Sequence, residues 1–281
     1  IELMPVYEFE GNDSWGYNTA FHLAIDKYYG KGDDLKRFID EAHERGIAVI
    51  MDLVLNHSFG QNPLLHMYWN DFDKRPAPNN PWYNEFYPHP FPWGYDFDHE
   101  SQATQNYFNK VLTDWLTEYR IDGFRIDFSK GITSNYTGTD NDAFSQYDAS
   151  RVGLLQMYAN TVWSTSPGAY FILEHFADNS EETALANSGM MVWSDMHYNY
   201  SQGAQGNLSQ SDISWGDYRN RGFNEPNNLT FMESHDKERM MVENMNWGAS
   251  NGGYDTRNVN TALDRMELAA AMYFTMPGPK M

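Results

Sequence analysis

The stretch Ile47–His57 reads IAVIMDLVLNH and decides the fold class of this chain. Its apolar residues follow one another without polar alternation, which is typical of a strand covered on both faces in a parallel sheet. The segment before it, Asp33–Arg45, has the apolar spacing of an amphipathic helix and is stopped by Gly46. A helix that leads directly into a doubly covered strand predicts the crossover unit of an α/β protein.

The same alternation continues along the chain in both directions. The other predicted strands are Ile1–Val6, Gly123–Phe128, Tyr170–Glu174, Met190–Trp193, Leu229–Glu233 and the start of one at Met276–Met281. Predicted helices lie at about 101–119, 143–163, 181–187, 201–220 and 263–273. Alternating strands and helices predict a parallel sheet with crossover helices, and the order predicts a TIM (β/α)₈ barrel cut at both ends.

One long segment interrupts this rhythm. Residues 57 to about 98 are rich in Pro, Asn and aromatic side chains, and the segment is too long for a simple connection. We therefore expect three parts: barrel strands in 1–57, a small inserted domain in 58–98, and the remaining strands in 99–281.

Composition excludes several classes of function. The formal net charge is −20, and such a field repels nucleic acids and anionic membranes. No apolar run is long enough to span a bilayer. The chain contains no Cys, which excludes thiolate zinc sites and cysteine nucleophiles. Aromatic residues make up 16% of the chain, and aromatic faces suit both a core and a sugar-binding cleft.

Polar residues follow four of the predicted strands. They are Asp52 with Asn56 and His57, Arg125 with Asp127, Glu174 with His175, and His235 with Asp236. In a parallel barrel these strand ends converge on one face, where barrel enzymes place their chemistry. Paired carboxyl groups of this kind suit glycoside hydrolysis, in which one acts as nucleophile and the other as acid. A neighbouring arginine keeps the nucleophile ionised.

Four segments resemble the signature regions of the α-amylase superfamily, in the family's order. They are DLVLNH (52–57), GFRIDFSK (123–130), FILEHF (171–176) and FMESHD (231–236). The segment SWGYNTAFH (14–22) resembles the substrate-stacking loop after the family's second barrel strand, and PGPKM (277–281) resembles the start of the eighth. The resemblance implies a glycoside hydrolase barrel that lacks strand 1 and most of strand 8.

The resemblance also implies a role for each matching residue. Asp127 matches the nucleophile, Glu174 the general acid/base and Asp236 the carboxylate that binds and distorts the sugar. The matching substrate-binding residues are Tyr17, His57, Arg125, Lys130 and His235. Asp52 matches a structural acid that supports the arginine.

No cofactor is expected for the chemistry, but the resemblance leaves a structural calcium open. Asn56 matches a residue that often ligates calcium, although it could equally brace the loop at His57. One departure weakens the calcium prediction, because many family members have Lys-His where this chain has Lys130-Gly131.

The activity that we expect is retaining cleavage of α-1,4-glucosidic bonds in starch-like α-glucans. Two alternatives stay open at this point: a debranching or glucan-branching enzyme of the same superfamily, and a non-catalytic glucan-binding homologue. The expected partner is an α-glucan polysaccharide or oligosaccharide, with further chain regions or accessory domains beyond this segment. The expected location is outside the bacterial cytoplasm.

Overall fold

The computed structural model describes residues 1–281. The chain divides into two compact units, Ile1–Leu185 and Ala186–Met281, and each has its own set of strands and helices. No helix combines the length and the apolarity that crossing a bilayer requires.

The first unit contains ten strands and six helices in chain order. They are β1 (Glu2–Leu3), β2 (Tyr7–Phe9), β3 (Thr19–Ile25), α1 (Gly32–His43), β4 (Ile50–Val54), β5 (His57–Ser58), α2 (Pro63–Met67), β6 (Trp69–Asn70), β7 (Arg75–Pro76), β8 (Tyr95–Asp96), α3 (Gln102–Asp114), β9 (Gly123–Asp127), α4 (Asn141–Ser145), α5 (Ala149–Thr165), β10 (Tyr170–Leu173) and α6 (Asn179–Asn187). A π-helical turn, Trp115–Tyr119, extends α3.

The parallel sheet of the first unit runs in the order β1, β4, β9, β10. All five residues of β4 are buried, as expected for a strand covered on both faces. Parallel pairing places Asp52 beside Arg125 and Val54 beside Asp127. The carboxyl ends of β4 and β9 therefore lie next to each other at the edge that carries the candidate catalytic residues.

The inserted segment is held by short antiparallel pairs rather than by a sheet of its own. β5 pairs with β8, and β6 pairs with β7. Its rings pack closely, for example Tyr83 stacked on Phe97 at a centroid distance of 4.2 Å. Residues 58–98 all belong to the first unit, and their predicted division into a separate small domain stays a prediction.

The second unit contains β11 (Met191–Asp195), α7 (His197–Gln205), β12 (Asn228–Phe231), α8 (Met240–Trp247), β13 (Ser250–Asn251), β14 (Tyr254–Asp255) and α9 (Val259–Thr275). β11 and β12 are parallel neighbours. The core of this unit forms where α7, α8 and α9 meet, around Met196, Tyr200, Ala204, Met240, Ala269 and Tyr273.

Several predicted elements differ from the observed ones. The strand predicted at Ile1–Val6 is reduced to β1, because the chain turns after Pro5 into an antiparallel hairpin of β2 and β3. The helix predicted at 143–163 is two helices, and the Asp148 carboxylate caps the second by accepting backbone hydrogen bonds from Ser150 and Arg151. The strand predicted at Met276–Met281 is reduced to a single parallel β-bridge between Lys280 and Thr230.

Candidate active site

Arg125 is the centre of the polar cluster at the ends of β4, β9 and β10. Its side chain is fully buried, and Nη1 donates to Asp52 Oδ1 at 2.7 Å and to Asp127 Oδ1 at 2.8 Å. Nη2 lies 2.9 Å from Glu174 Oε2. Burial opposes the charge on Arg125, but the three surrounding carboxylates raise its pKa well above the usual value. One permanent cation therefore holds three acids from three neighbouring strands.

Asp127 and Glu174 approach this cation from different strands. Arg125 and Asp127 are two residues apart on β9, so their side chains leave the strand on the same face. Glu174 follows β10 directly, and its Oε2 also accepts a hydrogen bond from the backbone N–H of Phe128 at 2.8 Å. The side chains of Asp127 and Glu174 keep 13% and 15% of their surface exposed, so solvent or a ligand can reach both acids.

Asp52, for which the family motif implies a supporting role, lies beside Arg125. It is buried, and it accepts hydrogen bonds from Arg125 and from the hydroxyl of Tyr17, the latter at 2.5 Å. Burial raises the pKa of Asp52 to about 6, although Arg125 and the Tyr17 hydroxyl oppose this rise. The Tyr17 ring lies 5.9 Å from the Arg125 guanidinium carbon, so Tyr17 closes the cluster on the side of the loop after β2.

His57 is buried behind Tyr17, and both ring nitrogens face protein atoms. Its Nε2 lies 3.0 Å from the carbonyl oxygen of Tyr17, and its Nδ1 lies 3.2 Å from the side-chain nitrogen of Asn56. Since the carbonyl can only accept, Nε2 carries the proton and Nδ1 accepts from Asn56. Burial lowers the pKa of His57 to about 4, so the ring is neutral near pH 7.

Lys130 points into the protein in this arrangement. It is buried, and Nζ donates to the Phe176 carbonyl oxygen at 3.0 Å and to Ser145 Oγ at 3.2 Å. Nζ also lies 4.9 Å from the centre of the Phe144 ring. Two of its three donors are thus engaged by protein oxygens, and the substrate-binding role taken from the family motif stays a prediction.

His235 and Asp236 lie in the second unit, after β12. The Asp236 side chain is half exposed, and one of its carboxylate oxygens lies 3.3 Å from His235 Nε2. The His235 ring lies 6.4 Å from the ring of Trp193 on β11. Both residues thus follow a strand of the parallel pair, as the sequence predicts, and their catalytic and binding roles remain predictions.

A buried ionic network that the sequence pattern did not predict lies directly behind Glu174. Arg151 Nε donates to Glu181 Oε1 at 2.6 Å, and His175 Nε2 lies 2.6 Å from the same oxygen. Burial opposes the charge on Glu181, but the hydrogen bonds from His175 and Arg151 lower its pKa to about 2. Ser129 Oγ donates to the carbonyl oxygen of Glu174 at 2.8 Å and lies 2.9 Å from His175 Nδ1. The sequence feature that could have indicated this network is the position of His175 directly after Glu174.

Asn56 is the residue to which the family motif gives a possible calcium-binding role, and that role stays a prediction. Calcium takes six to eight oxygen ligands, and no group of three or more His, Asp or Glu side chains could hold a metal ion. Asn56 Oδ1 is buried without a hydrogen-bond partner, but it packs against Gly131: an added Cβ there would lie 2.0 Å away. The chemistry that the acids can perform needs no calcium.

The sequence profile of the family described as "Alpha amylase, catalytic domain" matches residues 1–93 and 79–280. Among characterised relatives, a malto-oligosyltrehalose trehalohydrolase of Saccharolobus solfataricus is 29% identical over 138 residues, which are 48% of this chain and 22% of that enzyme. A 1,4-alpha-glucan branching enzyme of Chlamydia trachomatis is 26% identical over 199 residues, which are 67% of this chain and 26% of that enzyme. The chain thus spans about a quarter of these relatives' length.

Solved structures share the fold over almost the whole chain. An α-amylase from Anoxybacillus aligns with a TM-score of 0.71 and 20% identity, covering 99% of this chain and 57% of that one. A pullulanase from Anoxybacillus sp. LM18-11, solved with maltotetraose, gives a TM-score of 0.71 and 19% identity, covering 99% of this chain and 43% of that one. These likenesses establish the TIM (β/α)₈ barrel fold, and the profile match establishes that the chain belongs to the family of α-amylase catalytic domains.

Proposed function

We propose that this chain carries the catalytic centre of a retaining glycoside hydrolase that cleaves α-1,4-glucosidic bonds in starch-like α-glucans. The observation that carries the proposal is the shared guanidinium of Arg125, which lies 2.8 Å from an oxygen of Asp127 and 2.9 Å from an oxygen of Glu174. Two accessible carboxyl groups beside one cation support this proposal, because a double displacement uses one carboxylate as nucleophile and one as acid/base. We expect their separation to be about 5–5.5 Å, the spacing of a retaining pair.

In the first step, the Asp127 carboxylate attacks the anomeric carbon of the sugar. The bond from that carbon to the glycosidic oxygen breaks, and the protonated Glu174 transfers its proton to the departing oxygen. A glycosyl ester of Asp127 and a shortened glucan with a free hydroxyl result. Arg125 supports this step because an adjacent cation keeps Asp127 ionised and therefore nucleophilic.

In the second step, the ionised Glu174 removes a proton from a water molecule. The water oxygen attacks the anomeric carbon, the ester bond breaks, and Asp127 returns to the carboxylate. The N–H of Phe128 and the Arg125 guanidinium both stabilise the ionised form of Glu174, which is the form that acts as base. We further propose that Asp236 and His235 bind the sugar at the cleavage point through its hydroxyl groups.

Product analysis on soluble starch, pullulan and maltotriose tests this proposal. We expect reducing ends from starch with the anomeric configuration retained, and little release from the α-1,6 bonds of pullulan. Preferential cleavage of α-1,6 bonds would replace the proposal by a debranching activity. Binding of starch without any release would replace it by a non-catalytic glucan-binding role.

Glucan branching is the second candidate, and it is favoured by the similarity to 1,4-alpha-glucan branching enzymes. Branching has the same first step, but a sugar hydroxyl of a second glucan takes the place of water in the second. The discriminating measurement is the ratio of new α-1,6 linkages to new reducing ends, determined by NMR of the products from amylose. Hydrolysis predicts reducing ends alone, whereas branching predicts α-1,6 signals with few reducing ends.

A further inference from the structure

Phe128 follows Asp127 and has a backbone conformation that is rare for its residue type. Its φ and ψ are 41° and 46°, in the left-handed region. An aromatic residue there is a conformational outlier that the backbone disfavours. Such a conformation persists only when the surrounding structure imposes it, so its neighbours identify what holds it.

Four rings surround the side chain of Phe128, and we call them the aromatic clamp. The distances from their centres to the centre of the Phe128 ring are 4.7 Å for Trp93, 5.4 Å for Phe91, 5.5 Å for His89 and 6.0 Å for Phe144. His89, Phe91 and Trp93 belong to the inserted segment, whereas Phe144 lies on α4. The inserted segment therefore contacts the residue that follows the proposed nucleophile.

The clamp has a direct consequence for Glu174. With its ring held, Phe128 directs its backbone N–H at Glu174 Oε2, 2.8 Å away. This N–H lies in the peptide plane that joins Asp127 to Phe128, and the φ of 41° sets the direction in which the Phe128 side chain leaves that plane. The ring contacts and the hydrogen bond to Glu174 belong to the same residue, so Phe128 links the inserted segment to the proposed acid/base.

Gly131 gives independent support for this arrangement. A Cβ on residue 131 would lie 2.6 Å from Cε1 of Phe128 and 2.0 Å from Oδ1 of Asn56. The ring of Phe128 thus occupies space that any larger residue at 131 would need. Glycine at 131 thus leaves room for both the Phe128 ring and the Asn56 side chain.

We propose that the aromatic clamp is a positioning device for Glu174, acting through the backbone N–H of Phe128. This inference rests on the proposed function, in which Glu174 is the acid/base. The inserted segment then contributes to the rate of the chemical steps and not only to the shape of the cleft.

The first test compares Phe91→Ala and Phe128→Gly with the control Arg120→Gly. Arg120 is the matched control because it is exposed and also left-handed, with a φ of 56°, but lies at the other end of β9. For the two clamp variants we expect kcat on starch to fall about 10- to 100-fold, as a small misplacement of a catalytic group does. We expect KM to change by less than about threefold and the pH–rate profile to shift, because Glu174 loses a hydrogen bond. Arg120→Gly should keep both kcat and the profile.

The second test does not depend on activity. A double-mutant cycle combines Phe91→Ala with Glu174→Ala and measures urea unfolding of the four proteins. We expect a coupling of about fivefold or more in the unfolding equilibrium, because the two sites communicate through Phe128. The effects of unconnected sites multiply to within about a factor of two.

Additive unfolding together with unchanged kcat in Phe91→Ala and Phe128→Gly would overturn the proposal. A wild-type protein that hydrolyses no glucan would instead overturn the proposed function. In that case the cycle still decides whether the clamp positions Glu174: coupling supports it, and additivity refutes it.

Discussion

Replacement of Gly131 by alanine tests the packing behind the catalytic strand ends. The new Cβ would lie 2.0 Å from Asn56 Oδ1 and 2.6 Å from Phe128 Cε1, so at least one of these groups must move. Asn56 is 1% exposed and has little room. Overpacking of this kind costs about 1–3 kcal/mol. Alanine also reduces the conformational freedom of the unfolded chain, which stabilises the folded protein by about 0.4–1 kcal/mol. The net loss in the free energy of unfolding is therefore about 1–2 kcal/mol.

Gly153→Ala is the matched control for this substitution. Gly153 lies inside α5, and an added Cβ would meet nothing within 4 Å. Alanine in a helix interior is favoured over glycine by about 0.5–1 kcal/mol, so this variant should be more stable than the wild type. The same chemical change is thus expected to have opposite signs at the two positions.

The assay is urea unfolding with linear extrapolation of the free energy of unfolding, followed by kcat on soluble starch. We expect Gly131→Ala to lose about 1–2 kcal/mol and about tenfold in kcat, since Phe128 is displaced. Gly153→Ala should keep the wild-type kcat. If both variants are equally stable and equally active, the described packing of Asn56, Phe128 and Gly131 is wrong.

Three further predictions follow from the site and its surroundings. Asp127→Asn and Glu174→Gln should each lower kcat on starch by several orders of magnitude, because they remove the nucleophile and the proton donor. Their melting temperatures should stay near that of the wild type. A variant that keeps a tenth of the wild-type turnover would refute the role of the replaced residue. The free energy of unfolding should fall as the pH drops from about 6.5 to 4. Burial lowers the pKa of His22 to about 3 and the pKa of His57 and His99 to about 4. The same histidines take up protons near pH 6.5 in the unfolded chain, so protonation favours unfolding. Urea titrations at pH 7.5, 6 and 5 check this, and a constant free energy over that range would contradict it. Treatment with EDTA should leave the melting temperature within about 2 °C, since no group of three or more His, Asp or Glu side chains is placed to hold a metal ion. A large drop that added calcium reverses would instead support the calcium-binding role of Asn56.

The arrangement of the acids could be predicted from the sequence because it depends on local rules. Residues two apart on a strand share a face, so the spacing of Arg125 and Asp127 is enough to predict their ion pair. The strand ends of β4 and β9 were predictable from their apolar runs, and parallel pairing then brings Asp52 to Arg125. These contacts follow from periodicity and strand order.

The contacts that depend on distant segments could not be predicted in this way. Phe128 has a left-handed backbone and packs against rings about 35 residues earlier in the chain, and nothing in the sequence around Phe128 indicates either feature. The family motif predicts a substrate-binding Lys130, but the orientation of its side chain depends on Ser145 and on the Phe176 carbonyl. The hairpin of β2 and β3 was missed because β3 begins inside the segment 14–22, which resembles a substrate-stacking loop.

The most direct measurement of the central claim is the site of covalent labelling by an α-glucosyl fluoride. Fluoride leaves with little help from an acid, so the Glu174→Gln variant should form the glycosyl ester but lack the base that hydrolyses it. Mass spectrometry of the digested protein then identifies the labelled residue. We expect one glucosyl group on Asp127 and none on the Asp127→Asn variant. A label on a different carboxylate, or product with inverted configuration and no label, would contradict it.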